Sequence, residues 1–536
     1  MNPLSENLSV SLASSNEPSA TQLRFWIPEI TTYVVEVLLD GEGLQGSLSS
    51  VLALARTCQS TLGPAMRILW SKQVGFDNLI QTLPSDAWAR IKDVSCTRET
   101  LVLTRSLSTS DWERFDYYAA FIKVLVVEDF ACFRWAPTVF TAFYHHHSTI
   151  GRHLFPSLRE VRWVRPTASS DIHPEVPCFL SQALTSLEIE ISTADQHSTK
   201  RIQTLFPAFP VLLPEVESIS IKGGSPRAVL DVRSLPGCAH LRSFISTIPI
   251  SLESAVQLSS LPKLETLSFT MLDQETSSAP LPTPCGFRSL RSLSYGPSPT
   301  FIQACHFPVL QDFTAFRPQQ LSPLLEALVK HCNPKLLRTV RTDCPLGSAT
   351  PEVFIDHIRP LLKLHDLESV AISNSGCSQD DKMIETMSLA WPNLKVLSLT
   401  NPSQIYCETH PTWRGLLHLV RNCPALCSLS IEIETRELKI VNKEWNSVLG
   451  TNMFNPHVEA IDFQCSLISN YYMECKEISA FLLRLFPNLK TIHRKCYSTS
   501  DEKSWEMVER LLRNPQYYDQ EEGIDSIYGL DTWLDF

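Results

Sequence analysis

Apolar side chains recur along most of this chain in one order: an apolar anchor, two further residues, an apolar residue, a spacer and another apolar residue. Clear copies are Phe155-Pro156-Ser157-Leu158-Arg159-Glu160-Val161-Arg162-Trp163, Leu261-Pro262-Lys263-Leu264-Glu265-Thr266-Leu267-Ser268-Phe269 and Trp391-Pro392-Asn393-Leu394-Lys395-Val396-Leu397-Ser398-Leu399. Cys423 to Ile431 and Phe486 to Ile492 repeat the pattern. Looser copies anchor on Leu184, Val216, Leu241, Leu290, Leu310, Leu337, Leu367 and Val458. The last positions of each copy alternate with period two, so each predicts a short strand with one buried side. Adjacent copies lie about 20 to 32 residues apart, a repeat-array spacing. One such unit cannot bury its apolar side alone. Stacked units bury a continuous core and leave a long concave surface, which points to binding before catalysis.

The period falls in the leucine-rich-repeat range or slightly beyond it, so residues 151–498 are expected to form an irregular leucine-rich-repeat solenoid of parallel strands with helices and loops. Residues 22–70 read differently. Ile27-Pro28-Glu29-Ile30 opens an apolar run through Val34, Val35, Val37 and Leu38, and a break follows at Gly41, Gly43 and Gly46. Leu52, Leu54, Cys58, Leu62, Ala65, Leu69 and Trp70 then recur every three or four residues. That spacing predicts one amphipathic helix, or two broken near Gly63-Pro64. So few residues make a thin core, which a partner surface would complete.

Residues 71–150 are expected to be a helical linker and N-terminal cap. Ser110 with Glu113 reads as a capping box opening a helix, and Lys123-Val124-Leu125-Val126-Val127 reads as the first strand of the array. Pro- and Ser-rich stretches at 165–178, 273–286 and 296–300 are inter-repeat loops. Trp505, Val508, Leu511 and Leu512 share one helical face, which predicts a cap helix over 499–513.

Composition narrows the picture. Of 536 residues, 43% are hydrophobic and 19% charged, an ordinary globular balance. The net charge of −11 argues against non-specific binding to nucleic acid or anionic membrane, which needs a basic footprint. No apolar run reaches the roughly 18 residues of a membrane span. Residues 1–21 lack the charged start and apolar stretch of a signal peptide and read as a disordered lead-in. Sixteen cysteines without secretion signals point to a reduced cytoplasmic or nuclear setting. From Asn514 to Phe536 there is no Lys or Arg; six acids mix with Tyr517, Tyr518, Tyr528, Trp533 and Phe536. This reads as a partly ordered tail, or as a motif folded over the concave face.

Ile27-Pro28-Glu29-Ile30 resembles the Leu-Pro-Glu-Ile start of an F-box. Leu52-Ala53-Leu54-Ala55-Arg56-Thr57-Cys58 resembles its second helix, and Leu62, Pro64-Ala65 and Leu69-Trp70 its end. Leu83-Pro84, Trp112-Glu113-Arg114-Phe115 and Tyr118-Ala119 are similar to the segment after the F-box in a large fungal family of F-box/leucine-rich-repeat proteins. Cys423-Pro424, Phe481-Leu482 and Phe486-Pro487-Asn488-Leu489 resemble that family's C-terminal repeats. Val34-Val35 and the Gly-rich loop depart from the family pattern. The resemblance implies an α/β protein, a helical F-box followed by a repeat solenoid. It further implies a non-catalytic substrate receptor: the F-box docks a Skp-type adaptor joined to a cullin scaffold, and the repeats hold a protein substrate for ubiquitin transfer. The adaptor-binding residues it implies are Ile27, Pro28, Ile30, Val34, Val35, Leu38, Leu52, Leu54, Cys58, Leu62, Leu69 and Trp70. The alternative is a repeat scaffold with a vestigial F-box and no ligase role.

Other chemistry competes weakly. Gly41-Glu42-Gly43-Leu44-Gln45-Gly46 matches G-x-G-x-x-G, but the ribose-binding acid expected about 20 residues on is missing between Leu62 and Gln73. Ser47 stands where a P-loop has lysine. His145-His146-His147 are successive side chains that point apart on a helix, so an exposed polar loop is the default over a metal site. Cys407, His410, His418, Cys423 and Cys427 look zinc-like, but the last two hold repeat positions, where a thiol serves as a small buried apolar group. No Ser-His-Asp or Cys-His set is apparent, and neither cofactor nor metal is expected.

Strand alternation places Glu160 and Arg162 on the concave side if Val161 and Trp163 face the core. The same offset selects Glu188, Ser220, Ser268, Ser294, Ser398 and Ser430. With Arg162 these are the candidate substrate-binding residues, small and mostly uncharged; their hydroxyls are either merely solvated or in contact with a partner.

Overall fold

A computed structural model describes residues 33–34, 44–57, 59–92, 99–128, 133–150, 153–164, 179–191, 196–224, 228–271, 285–296, 298–318, 321–343, 351–373, 379–400, 409–436, 438, 453–468, 471–495 and 499–514. The chain divides into two compact units, Met1–Glu190 and Ile191–Phe536.

The first unit opens on a helical pair, Leu44–Ala55 and Gln59–Leu69. The break between them falls at Arg56 and Thr57, not near Gly63-Pro64. Thr57 Oγ1 and Thr61 Oγ1 both donate to the Leu54 carbonyl, at 2.7 and 2.9 Å, which ties the turn. The second helix runs through Pro64, which forfeits one backbone bond without ending it. Parallel strands Lys72–Val74, Val124–Glu128, Glu160–Val164 and Ser186–Ile191 then pair in that order. A separate sheet joins Trp88–Lys92 antiparallel to Glu99–Leu103, and the latter parallel to Phe133–Trp135. The expected helical linker therefore contains strands, and the ladder begins at Lys72. The predicted capping box is displaced by two residues. Asp111 Oδ2 accepts from the Ser108 amide at 2.7 Å and its hydroxyl at 2.8 Å. Ser108 precedes a short 3-10 turn, Thr109–Trp112, before the helix Glu113–Ala119. Phe76, Phe140, Phe143 and Phe179, all fully buried, make mutual ring contacts in the core of this unit.

The second unit is a ladder of parallel strands: Ser218–Gly223, Ser243–Ser246, Thr266–Thr270, Ser292–Gly296, Asp312–Phe316, Thr339–Asp343, Ser369–Ser373, Val396–Thr400, Ser428–Ile431, Ala460–Asp462 and Thr491–His493. In each, the strand opens two residues after the sequence anchor, as Ser218 follows Val216 and Thr491 follows Leu489, and every one of these anchors is buried. One register row, through Leu267, Leu293, Phe313, Val340, Val370, Leu397 and Leu429, runs along the core. Return segments carry helices such as Asp381–Ala390, Trp413–Asn422 and Tyr472–Leu485. Asp380 and Thr412 cap the first two of these by accepting from Met383 N and Arg414 N. The last helix, Thr499–Arg513, buries Trp505, Val508, Leu511 and Leu512. This is an α/β solenoid of leucine-rich-repeat type.

The residue just after each anchor forms a column along the ladder's entry edge. Its carbonyl accepts two amides from the next repeat, as Glu265 O accepts from Arg291 N and Ser292 N. Its side chains often alternate in sign. Arg242 pairs with Glu265 at 2.8 Å, Lys395 with Glu368 at 2.7 Å and Lys490 with Glu459 at 3.1 Å. Each exposed pair contributes only about 0.2–1 kcal/mol, but each favours one register over a slipped one.

Candidate interaction surfaces

Two surfaces stand out, one in each unit. The helical pair buries Val51, Ala55 and Ala65, with Leu54, Ile68 and Leu69 packed against them in part. These are small groups on facing turns, so little apolar area leaves water. Leu52 and Leu62 stay 51% and 44% exposed. Trp70 is half-buried and stacks on Tyr118 with ring centres 4.3 Å apart. Val34 is helical and half-buried beside the exposed Tyr33, so the described residues ahead of the Gly41–Gly46 motif are helix, not strand. Gly46 itself lies inside the helix Leu44–Ala55. A dinucleotide site needs a strand ahead of its glycines, and neither feature fits one. Of the other residues implied by the resemblance, Ile27, Pro28, Ile30, Val35, Leu38 and Cys58 lie outside the described residues.

The second surface is the open face of the strand ladder. Strand alternation places Ser268, Ser294, Ser398 and Ser430 there, half-buried. Ser220 is a departure: it is buried and its hydroxyl has no hydrogen-bond partner among the described residues. In the first unit, Arg162 and Glu188 hold the equivalent positions on adjacent strands, with Nε and Oε2 3.4 Å apart. The serines were legible because each sits four residues after a repeat anchor, in clear and looser copies alike. The same offset from the looser anchors Leu337 and Val458, and from Leu489, selects Arg341, Asp462 and His493, which were overlooked.

Ser430, Asp462 and His493 are register partners on successive strands. The order rules against a nucleophilic triad from these three. Ser430 Oγ donates to Asp462 Oδ2 at 2.8 Å, so the carboxylate stands in the middle, where a triad needs the imidazole. Gln464 locks the corner. It is buried in a left-handed conformation (φ 51°), and its Nε2 reaches the Leu399 carbonyl at 2.8 Å.

The other candidates resolve in the same way. His145–His147 lie on the helix Pro137–Ile150, not on a loop. His146 is buried, stacked flat on Trp112 at 4.1 Å and 2.9 Å from Asp116 Oδ1. It floors a cleft of about 430 Å³ with Thr138, Thr141 and Arg105 on its walls. Arg105 is held there by Asp86 and Asp111, and its guanidinium keeps both carboxyls below their usual range. Cys423 is buried, and burial pushes its thiol up to about 12, which makes it unreactive. Cys427 is exposed, contrary to expectation. It occupies the charged edge column, and its Sγ lies 3.2 Å from the Lys395 carbonyl. His410 Nε2 lies 3.9 Å from Glu432 Oε1, and burial raises the Glu432 carboxyl while His410 opposes the shift. Cys407 lies outside the described residues. Among the described residues no cluster of three His, Cys, Asp or Glu could hold a metal, and no helix is long and apolar enough to cross a membrane.

No protein-family model and no curated protein matches this chain. Among solved structures it is similar to a TLR13–ssRNA13 complex, at 13% identity and a TM-score of 0.32 over 66% of this chain and 58% of that one. It is also similar to the mouse RP105/MD-1 complex, at 10% identity and a TM-score of 0.34 over 72% of this chain and 68% of that one. The repeat architecture rests on the strand ladder itself.

Proposed function

We propose that this protein is a substrate receptor of a Skp/cullin/F-box ubiquitin ligase, with no catalytic chemistry of its own. The helical pair docks the Skp-type adaptor, and the open face of the ladder holds a protein substrate. The observation that carries this reading is the exposure of Leu52 and Leu62 on a helical pair whose buried apolar residues, among those described, are Val51, Ala55 and Ala65. Exposed apolar side chains on an under-packed element mark a place for a partner. A reducing compartment, cytoplasm or nucleus, fits the free buried thiols of Cys238 and Cys332.

The test is capture of the host's Skp-type adaptor by the full chain, wild type against Leu52→Asp/Leu62→Asp. Both positions are exposed, so the double variant should fold and melt as wild type while adaptor capture is lost. Capture by both proteins alike would remove the helical pair from the docking site. No capture by the wild type would leave a repeat scaffold with a vestigial F-box.

A further inference from the structure

The open face of the second unit is built mainly of small side chains, and its centre breaks that rule. Along the register row through Ser294, Thr314, Ala371 and Ser398, Arg341 is the guanidinium. It is exposed and has no ion-pair partner among the described residues. On the neighbouring strand Phe316 points to the same face and is 42% exposed.

The backbone is shaped around that ring. Arg317, next in sequence, takes a left-handed conformation (φ 42°) unusual for a residue with a Cβ. Its amide donates to the Asp343 carbonyl at 2.8 Å. On the other side stands Gly296, where an added Cβ would come within 2.1 Å of the Phe316 carbonyl oxygen. Local strain of this kind persists only where the surroundings hold it, and it gathers at functional sites.

The charge column changes at the same place. After Glu217, Arg242, Glu265 and Arg291 its alternation calls for a carboxylate, and Gln311 stands there, followed by Arg338. Arg291 is exposed and, like Arg341, has no ion-pair partner among the described residues. Asp312 and Asp343 share the open face with Arg341. A single anion beside Arg341 is therefore favoured, and a run of acids is repelled by its neighbours.

We propose that Arg341 and Phe316 anchor the protein substrate: an extended segment presents one isolated anionic side chain to the Arg341 guanidinium and an adjacent apolar side chain to the Phe316 ring. An arginine beside an aromatic ring is the pairing in which binding energy concentrates at protein interfaces, and a guanidinium grips a carboxylate or phosphate through two parallel bonds. The small residues on either side leave room for the partner's main chain. The proposal deepens the substrate-receptor reading and rests on it for the partner's fate, not for the contact.

Random dodecapeptides displayed on phage are selected on the immobilised full-length chain, wild type and Arg341→Glu. The wild type is expected to enrich a lone Asp or Glu beside an aromatic or aliphatic residue, and Arg341→Glu to enrich Lys or Arg in its place. The same peptides from both proteins, or no acidic residue in the wild-type pool, or no enrichment, overturns the proposal. The enriched peptide is then resynthesised with glutamate, phosphoserine or serine at the anionic position. Tighter binding of either anionic form supports the proposal and tells carboxylate from phosphate; equal binding of the serine form overturns it. Arg341→Ala and Phe316→Ala should each weaken Kd by about tenfold, with unchanged circular dichroism. Changes of less than about twofold in both overturn it. Adaptor capture is read separately on the same proteins, so a failed ligase reading leaves the peptide result standing.

Discussion

Between Leu44 and Leu69 the buried apolar side chains among the described residues of the helical pair are Val51, Ala55 and Ala65. Between Leu367 and Ile431 the array encloses Trp391 and Trp413 whole, with Val370, Leu397 and Leu429 in one register row. A fully buried large apolar side chain contributes roughly 1.5–3 kcal/mol. The array therefore meets its chain-entropy cost from within, repeat against repeat. The described residues of the pair bury smaller groups, and Leu52 and Leu62 stay exposed for another surface to cover if the proposed docking holds. On the proposed reading, the adaptor is that surface.

The largest effect should come from breaking the array. Trp391→Ala removes a buried indole whose Nε1 donates to the Leu361 carbonyl at 3.1 Å. It should cost about 3–5 kcal/mol in denaturant unfolding. Leu62→Ala should cost less than about 0.5 kcal/mol. A cost above about 2 kcal/mol at Leu62 would mean that the pair is already covered by its own chain, and the contrast would collapse. Next in size is Gly296→Ala, where the added methyl meets Phe316 backbone that cannot retreat without shifting a strand. Destabilisation of about 1–3 kcal/mol is expected, with Gly63→Ala, where the added Cβ meets nothing within 4 Å, as a control of opposite sign that should gain up to about 1 kcal/mol.

The smallest effect concerns pH. The raised Glu432 carboxyl binds its proton more tightly folded than unfolded, so its contribution is fully present below the ordinary value of 4.5 and lost as pH rises through the folded value. Glu432→Gln should therefore gain melting temperature relative to wild type between pH 4 and pH 8. A difference between the two proteins that stays flat, or that reverses, would show that His410 fully compensates the buried charge.

The strands of the array were legible because every copy must bury the same positions; Val340 and Leu397 obey one rule even where the rest of the repeat has drifted. The sheet over Trp88–Trp135 was not. Its strands lack alternation, Trp88–Lys92 having no fully buried residue, so nothing in the pattern sets them apart from loop. The capping box slipped because Ser108 and Ser110 both have an acid three residues on, and only tertiary context chooses between them. His146 is buried by Trp112, a neighbour distant in sequence. At the candidate site, the serines followed from the offset rule, which selects Arg341 equally once it is carried to the Leu337 copy. Phe316 required knowing where the strand ends.

The unbroken register across the second unit gives its open face a scale. Adjacent strands lie about 4.8 Å apart, so the ten steps from Ser218 to Thr491 span about 48 Å, against about 3.4 Å per residue for an extended chain. A segment laid across the ladder would thus keep about fourteen residues in reach and drift out of phase with the strands as it goes. Only a few of its side chains can meet a strand squarely, so such a face measures the distance between anchor points on a partner better than it reads a continuous sequence.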